Sequence, residues 1–408
     1  MMYTLNKNVY LVDGKARSCI YDLNGLRLFS INNNLAQAIH KANECGIIEE
    51  TVDDELKDVL NNLVQLELMV LSDHNTPHEI SEYRAADNGC VFAWVEITNR
   101  CNLRCKHCYN ESDIHCETIM STENYKKVID RLLELGVKKV QIIGGEPFVE
   151  KNRLRELLDY TVGKFPLIEI FTNGTLITDE WYSYLAKNGI HIALSVYSYN
   201  KEEHDKVTGQ QGSWTKTYNT IASLKANGIP YRVCNVLMSG VELGEKSTDL
   251  FELSPDKDIV RMSGRANFAL LSDELIRKKL ITKTTFQTPL NRKLCSALLS
   301  GHNCFRSKIY VSADLKVYPC VMERRFTHCD ISDGGKITLC DNIRNMNKDK
   351  IEGCCDCEYR YACHDCRPNS LSGEIYEKPW YCTYNPITGE WEDENAFVEK
   401  LKHQWGNP

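Results

Sequence analysis

The sequence predicts an α/β protein: a parallel-sheet core between a small N-terminal unit and a cysteine-rich C-terminal block. Three observations carry this. Strand-like and helix-like segments alternate from about residue 89 to 268, which implies parallel strands with right-handed crossovers. Eleven of the 19 cysteines lie between Cys295 and Cys382, and three more sit together at Cys101, Cys105 and Cys108. The net charge of −7 belongs to residues 1–88, with seven Lys/Arg against fourteen Asp/Glu; the rest of the chain balances to zero.

In the first block, Val9–Val12, Ser18–Tyr21 and Arg27–Ile31 are short β-like runs. Asp13-Gly14 and Asn24-Gly25 between them are hairpin-type turn signals. Leu35, Ile39 and Ala42 share one helical face, and Leu56, Val59, Leu60, Leu63 and Leu66 another. Leu68–Leu71 fits a returning strand, and Ser72–Asn88 reads as a polar linker.

The second block opens with the buried-strand run Val91–Ile97. Ser121 caps a helix carrying Val128, Ile129, Leu132 and Leu133. Strands follow at Val137–Ile143, Leu167–Phe171, Ile190–Val196 and Tyr231–Leu237, with a weaker sixth at Ile259–Met262. Helices near Arg153–Val162, Asp179–Lys187 and Trp214–Ala226 separate them. An open doubly wound sheet and a full or partial barrel both fit. The third block, from about residue 290, has few periodic segments. It is expected to depend on metal ligation for stability, with a closing helix between Trp391 and Trp405.

Composition narrows the function classes. Apolar residues make up 42% and charged residues 26%, ordinary globular usage. No apolar run approaches 18 residues, so no membrane-spanning helix is expected. No basic stretch suggests nucleic acid. Met1–Gly14 lacks the apolar core of a signal peptide. The expectation is a cytoplasmic protein, where so many thiols point to metal or cluster ligation rather than disulfides.

The sharpest motif is Cys101-Asn-Leu-Arg-Cys105-Lys-His-Cys108, directly after the first strand of the core. A four-iron cluster needs four ligands. Three cysteines leave one iron open, and an open position is what a metal needs to bind a small molecule. A zinc knuckle with a distant fourth ligand is the bland alternative.

This loop resembles that of the radical S-adenosylmethionine (SAM) superfamily, with His107 at the usual aromatic position. Gly144-Gly145-Glu146-Pro147, ending the second strand, resembles the family motif that receives the methionine amino group. Thr172-Asn173-Gly174 ends the third strand, and Ser195 ends the fourth at the usual ribose-contacting position. The resemblance implies a partial (β/α)6 TIM-like barrel with SAM at the carboxyl ends of its strands, where barrel enzymes carry their sites. Cys101, Cys105 and Cys108 would hold the catalytic [4Fe-4S] cluster. His107, Gly144, Gly145, Glu146, Pro147, Asn173, Ser195 and Arg265 are the expected cofactor contacts; Arg265 and Arg261 fit the cofactor carboxylate, a peptide, or a surface or strand-end role. One electron would cleave SAM to methionine and a 5′-deoxyadenosyl radical, the cofactor carrying the hard chemistry.

Cys354-Cys355-Asp356-Cys357, then Cys363-His-Asp-Cys366 and Cys382, resemble the SPASM extension of peptide-modifying radical enzymes. The family pattern implies one auxiliary [4Fe-4S] cluster on Cys354, Cys357, Cys363 and Cys382. It implies a second on Cys304, Cys320 and Cys366, with Cys295 a candidate fourth ligand. Two features depart from the pattern. Leu315 stands where the family has glycine, and the last pair is C-x2-C rather than C-x3-C. A zinc-ribbon pair is the bland alternative for this block. The remaining thiols Cys19, Cys45, Cys90, Cys116 and Cys234 are expected to pack, while Cys329, Cys340 and Cys355 are ambiguous. His204-Asp205 is expected to organise a turn.

The wording from Cys357 to Arg367, with Lys378-Pro379 and Tyr384-Asn-Pro-Ile-Thr-Gly-Glu-Trp391, resembles maturases of the grasp-with-spasm peptide systems. So does the opening Val12-Asp13-Gly14. The resemblance implies residues 1–88 as a winged-helix-like leader-recognition domain with linker, 89–285 as the barrel and 286–408 as the SPASM domain. An exposed strand edge would take the leader as an added strand. The implied function is hydrogen abstraction from a ribosomally made precursor peptide and installation of a thioether or carbon–carbon cross-link. A flavodoxin- or ferredoxin-type donor would supply electrons. The alternatives are a maturase of a folded protein such as a sulfatase, and a non-catalytic zinc-binding interaction protein.

Overall fold

The computed structural model describes residues 1–256, 258–369 and 374–406. Two compact units emerge: Met1–Asp87 with Leu280–Asn303 and Asn345–Pro408, and Asn88–Lys279 with Cys304–Arg344.

In the first unit, β1 (Met2–Leu5) pairs antiparallel with β5 (Ile47–Ile48) and β6 (Met69–Ser72). β2 (Val9–Asp13), β3 (Ser18–Asp22) and β4 (Arg27–Ile31) form an antiparallel meander. Its second turn is set by Asp22, whose Oδ1 accepts from Asn24 N and Gly25 N at 3.0 and 2.8 Å. α1 (Asn33–Cys45) and α2 (Asp54–Gln65) start on Asn32 and Asp53, whose side chains accept from Leu35 N and Leu56 N. Ile39, Ala42, Leu60 and Leu63 pack with Tyr3, Val9, Ile20 and Met69.

In the second unit, β7 (Phe92–Glu96), α3 (Thr122–Glu134), β8 (Lys139–Ile143), α4 (Lys151–Thr161), β9 (Leu167–Thr172), α5 (Asp179–Lys187), β10 (His191–Ser195), α6 (Lys201–Thr208), α7 (Ser213–Ala226) and β11 (Tyr231–Cys234) follow in turn. The five strands are parallel neighbours in chain order. Alternation buries strand residues such as Val95, Ile142, Ile170 and Leu194 against the helix stripes of Val128, Leu132, Leu154, Leu157 and Leu185. The expected sixth strand shrinks to one parallel bridge between Leu237 and Ile259. Leu237 N donates to Asp258 O, Val260 N to Leu237 O, and the chain then turns at Ser263 and Gly264.

α8 (Asp273–Lys279) ends that run, and α9 (Arg292–Ser300) belongs to the first unit. β12 (Lys308–Val311) adds to the sheet parallel to β7, followed by antiparallel β13 (Lys316–Tyr318) and β14 (Cys329–Asp330). The turn between β12 and β13 places Leu315 at φ 68°, with Leu315 N donating to Ser312 O at 2.9 Å. A left-handed residue here explains why glycine suits the position. α10 (Asp341–Arg344), β15 (Tyr384–Asn385), β16 (Glu390–Trp391) and α11 (Glu394–Gly406) complete the chain. Among the described residues, no helix is long and apolar enough to cross a membrane.

The first unit draws on both ends of the chain. Tyr10, Val12, Cys19 and Tyr21 share an apolar cluster with Leu290, Cys295, Leu299, Tyr359, Tyr361 and Tyr384. Tyr21 Oη donates to Glu358 O at 2.9 Å.

Candidate active site

The loop after β7 carries Cys101, Cys105 and Cys108 to the carboxyl ends of the parallel strands. All three line a cavity of about 400 Å³. Gly144 and Gly145 after β8, Asn173 after β9, Ser195 at the end of β10 and Arg265 line it too, as does His107.

The local sequence explains the close approach. A Cβ on Gly145 would lie 2.3 Å from Arg100 O, and one on Gly144 2.6 Å from Thr98 O. Only glycine lets the end of β8 lie against the thiol loop. Gly145 N donates to Thr98 O at 2.7 Å and Glu146 N to Arg100 O at 2.8 Å. From the other side, Arg265 holds the loop: its Nε donates to Cys105 O at 2.9 Å and its Nη2 to Ser112 O at 2.8 Å. Asn173 Nδ2 donates to Asn102 Oδ1 at 2.9 Å, inside the same loop.

Glu146 and Pro147 are buried but do not line the cavity. Glu146 accepts from Phe148 N, Thr172 Oγ1 and Asn173 N at 3.0, 2.7 and 2.7 Å. It thus ties the end of β8 to the end of β9. Burial pushes its carboxyl up to about 7, against three hydrogen bonds that pull it down. Here the expected cofactor contact is a brace for Asn173.

The electrostatics fit a bound cluster. Burial, then the Cys108 thiol, pushes Cys105 up to about 12, and Cys101 is raised chiefly by burial as well. Such thiols ionise only against a bound cation. Among the described residues no three His, Cys, Asp or Glu side chains form a ligand set for a single ion. His107 Nδ1 is buried without a hydrogen-bond partner, a polar atom left for a bound molecule. Burial, then Arg265, lowers His107 to about 4, so the ring is neutral at pH 7. It packs edge-on against Tyr197.

A family description, Radical SAM superfamily, matches residues 95–249. The chain carries a radical SAM domain. AlbA, the antilisterial bacteriocin subtilosin biosynthesis protein of Bacillus subtilis (strain 168), is 36% identical over 198 residues, covering 47% of this chain and 44% of AlbA. PqqA peptide cyclase of Granulibacter bethesdensis (strain ATCC BAA-1260 / CGDNIH1) is 33% identical over 138 residues, 33% of this chain and 37% of the cyclase. The matches thus span less than half the length of these relatives. The crystal structure of Streptococcus suis SuiB bound to precursor peptide SuiA covers 90% of this chain and 96% of its own, with TM-score 0.51 and 14% identity. The α/β radical SAM fold is therefore shared beyond the matched segment.

Sequence reasoning misses several cavity residues of the radical SAM domain. Cys234, expected to pack, lines the cavity at the end of β11 opposite Ser195 in the parallel register. Arg232 Nη1 lies 2.8 Å from its sulfur and its other nitrogens grip Glu169. Strand-end position is the one signal that would have flagged it. His204 and Asp205 do organise a turn: Asp205 accepts from Gly212 N, Ser213 Oγ and Trp214 N at the start of α7.

In the first unit, Cys354, Cys357, Cys363 and Cys382 line one narrow cavity with Phe286, Tyr359 and Trp391. Cys366 lies in this unit, while Cys304 precedes β12 and Cys320 follows β13 in the other. Cys295 is fully buried on α9, within the apolar cluster that includes Cys19.

Proposed function

We propose that the chain is a radical SAM maturase that takes hydrogen from a residue of a ribosomally made peptide and leaves a cross-link. The observation that carries this is the set Cys101, Cys105 and Cys108 lining one cavity with Gly144, Gly145, Asn173 and Ser195. When bound, a [4Fe-4S] cluster and SAM supply reductive cleavage and a carbon radical able to take hydrogen from an unactivated C–H bond.

The chain's own residues do the rest. The three cysteines would hold the cluster and would leave one coordination position for the methionine end of SAM. Gly144 and Gly145 would present backbone to it without side-chain obstruction, and Ser195 would contact the ribose. Asn173, braced by Glu146, holds the thiol loop in register. Trp94, Phe171, Val260 and Val321 supply apolar wall that keeps water from the reacting carbon.

Forming a cross-link with loss of two hydrogens is a two-electron oxidation. Hydrogen abstraction accounts for one electron, so an acceptor for the second is required. Cys354, Cys357, Cys363 and Cys382 are the residues that would hold an auxiliary [4Fe-4S] cluster, and the family pattern implies a second. Similarity to AlbA, to PqqA peptide cyclase and to SuiB bound to its precursor peptide SuiA supports a peptide substrate, and the first unit would receive its leader at a strand edge. A flavodoxin- or ferredoxin-type protein in the cytoplasm would be the electron donor.

Anaerobic reconstitution tests the reaction class. Brown protein with about twelve irons and reductant-dependent 5′-deoxyadenosine is expected; zinc without iron, or intact SAM, refutes it. Mass spectrometry of a neighbouring precursor peptide co-expressed with the protein tests the substrate. Loss of hydrogen mass within the core is expected, and an unmodified peptide with an active enzyme refutes a peptide substrate.

A further inference from the structure

Lys348 is 2% exposed and lines the same cavity as Cys354, Cys357, Cys363 and Cys382. Its Nζ donates to Cys363 Sγ at 2.9 Å. Burying an ammonium costs far more than a hydrogen bond to a neutral thiol returns. The buried carboxylate nearby, Asp365, is paired with Arg367, whose Nε donates to Asp365 Oδ1 at 3.0 Å. Arg367 Nη2 donates to the same Asp365 oxygen, and its Nη1 reaches Ile375 O and Glu377 O at 3.0 and 2.9 Å. Asp365 also faces Lys348 and His302, so the Lys348 charge is shared between that carboxylate and the thiol set, Cys363 being the thiol it touches.

We propose that Lys348 sets the charge balance and reduction potential of an iron–sulfur cluster held by Cys354, Cys357, Cys363 and Cys382; this rests on the four-thiol reading above. Reduction adds one electron to the cluster and moves no proton from the lysine. A fixed cation hydrogen-bonded to a ligating sulfur stabilises the added negative charge and raises the potential. Lys348 is therefore a tuning residue, not a catalytic one. It would make this site a readier electron acceptor than the same four cysteines without it.

The test uses the full chain with Cys101→Ala, Cys105→Ala and Cys108→Ala, so that only auxiliary iron reports. Potentiometric titration followed by electron paramagnetic resonance compares this protein with added Lys348→Met and with Lys348→Arg. The methionine variant should keep its iron and show a midpoint shifted to more negative potential. The arginine variant should recover most of the shift. Unchanged midpoint at unchanged iron overturns the proposal. A second measurement needs no substitution at Lys348: isotopic labelling of lysine nitrogen in the unaltered enzyme should give a nitrogen coupling to a reduced auxiliary cluster by pulsed resonance. Its absence overturns the proposal whatever the variants do. Failure of the four-thiol reading looks different: Cys354→Ala and Cys357→Ala would then retain all their iron.

Discussion

The cavity around Cys101, Cys105 and Cys108 takes its walls from the ends of five parallel strands, while the one around Cys354, Cys357, Cys363 and Cys382 is walled mostly by turns and short helical turns. The first has about 400 Å³ of free space and the second about 20 Å³. Three thiols with room to spare suit a metal centre that must admit another molecule. Four thiols suit one whose coordination is complete once bound. The same residue type thus serves two tasks, set by what surrounds it: a rigid sheet that frames a reaction space, or a loop block that the ligand itself would staple.

The comparison breaks most sharply at the three-thiol loop. Cys105→Ala should reduce 5′-deoxyadenosine formation to background and remove about four irons per chain, leaving the rest. The same substitution in the other cavity should separate the two roles. Cys357→Ala should also lose about four irons and should abolish peptide modification. Its 5′-deoxyadenosine rate should stay within about a factor of three, under about 0.7 kcal/mol. Equal loss of SAM cleavage in both variants would erase the distinction. Iron analysis beside product assays on the same samples decides it.

Glu146→Gln probes how the sheet end holds the first cavity. Burial raises the Glu146 carboxyl from about 4.5 to about 7. A raised acid is bound more tightly by its proton when folded, so its stabilising share is complete below about pH 4.5 and is lost as pH climbs to about 7. The wild type should lose roughly 3 kcal/mol across that window through this group, at about 1.4 kcal/mol per pH unit. The glutamine variant should show a flatter profile in denaturant unfolding at pH 5 and 7.5. Because the amide cannot accept from Thr172, Phe148 and Asn173 as the carboxylate does, KM for SAM should rise about tenfold, about 1.4 kcal/mol. Turnover at saturation should change less.

Much of this was legible in the sequence because strand and helix periods are local. The five strands and most of their helices follow from Val, Ile and Leu spacing, while the thiol loop, Gly144-Gly145 and Ser195 stand out through the resemblance to the radical SAM superfamily, each at a strand end. What was not legible depends on distant partners. β1 is a four-residue Met2–Leu5 run too short to read as a strand until Met69–Ser72 lies beside it. Cys234 looks like a packing thiol until its register with Ser195 is known. Lys348 gives no signal in Asn347-Lys348-Asp349, since its meaning is a contact with Cys363 across fifteen residues. Residues 1–88 read as a separate domain, yet Tyr21 and Tyr10 complete a core with Tyr359 and Tyr384. Deleting the segment would therefore strip the wall of the second cavity's unit, and single substitutions test leader binding more cleanly.

Tyr21→Phe is such a substitution for stability. It removes the bond to Glu358 O and leaves a buried carbonyl short of a donor, a loss of about 1–2 kcal/mol. If both ends of the chain form one cooperative unit, probes at Trp391 and in the β2–β4 meander should shift together in urea. Separate transitions would show that the N-terminal segment folds apart from the four-thiol block.

The smallest effect belongs to Leu315, in the unit of the first cavity. Its left-handed backbone costs about 1–2 kcal/mol that glycine would not incur. Yet the side chain is 8% exposed and packed in the sheet core, and burying a leucine is worth about 1.5–3 kcal/mol. Glycine would also add backbone freedom to the unfolded chain, roughly 0.5–1 kcal/mol. The balance goes against the family residue: Leu315→Gly should be destabilising by about 1 kcal/mol in urea unfolding. A gain in stability would mean that strain, not packing, dominates this turn, and that the leucine is kept for something other than the fold.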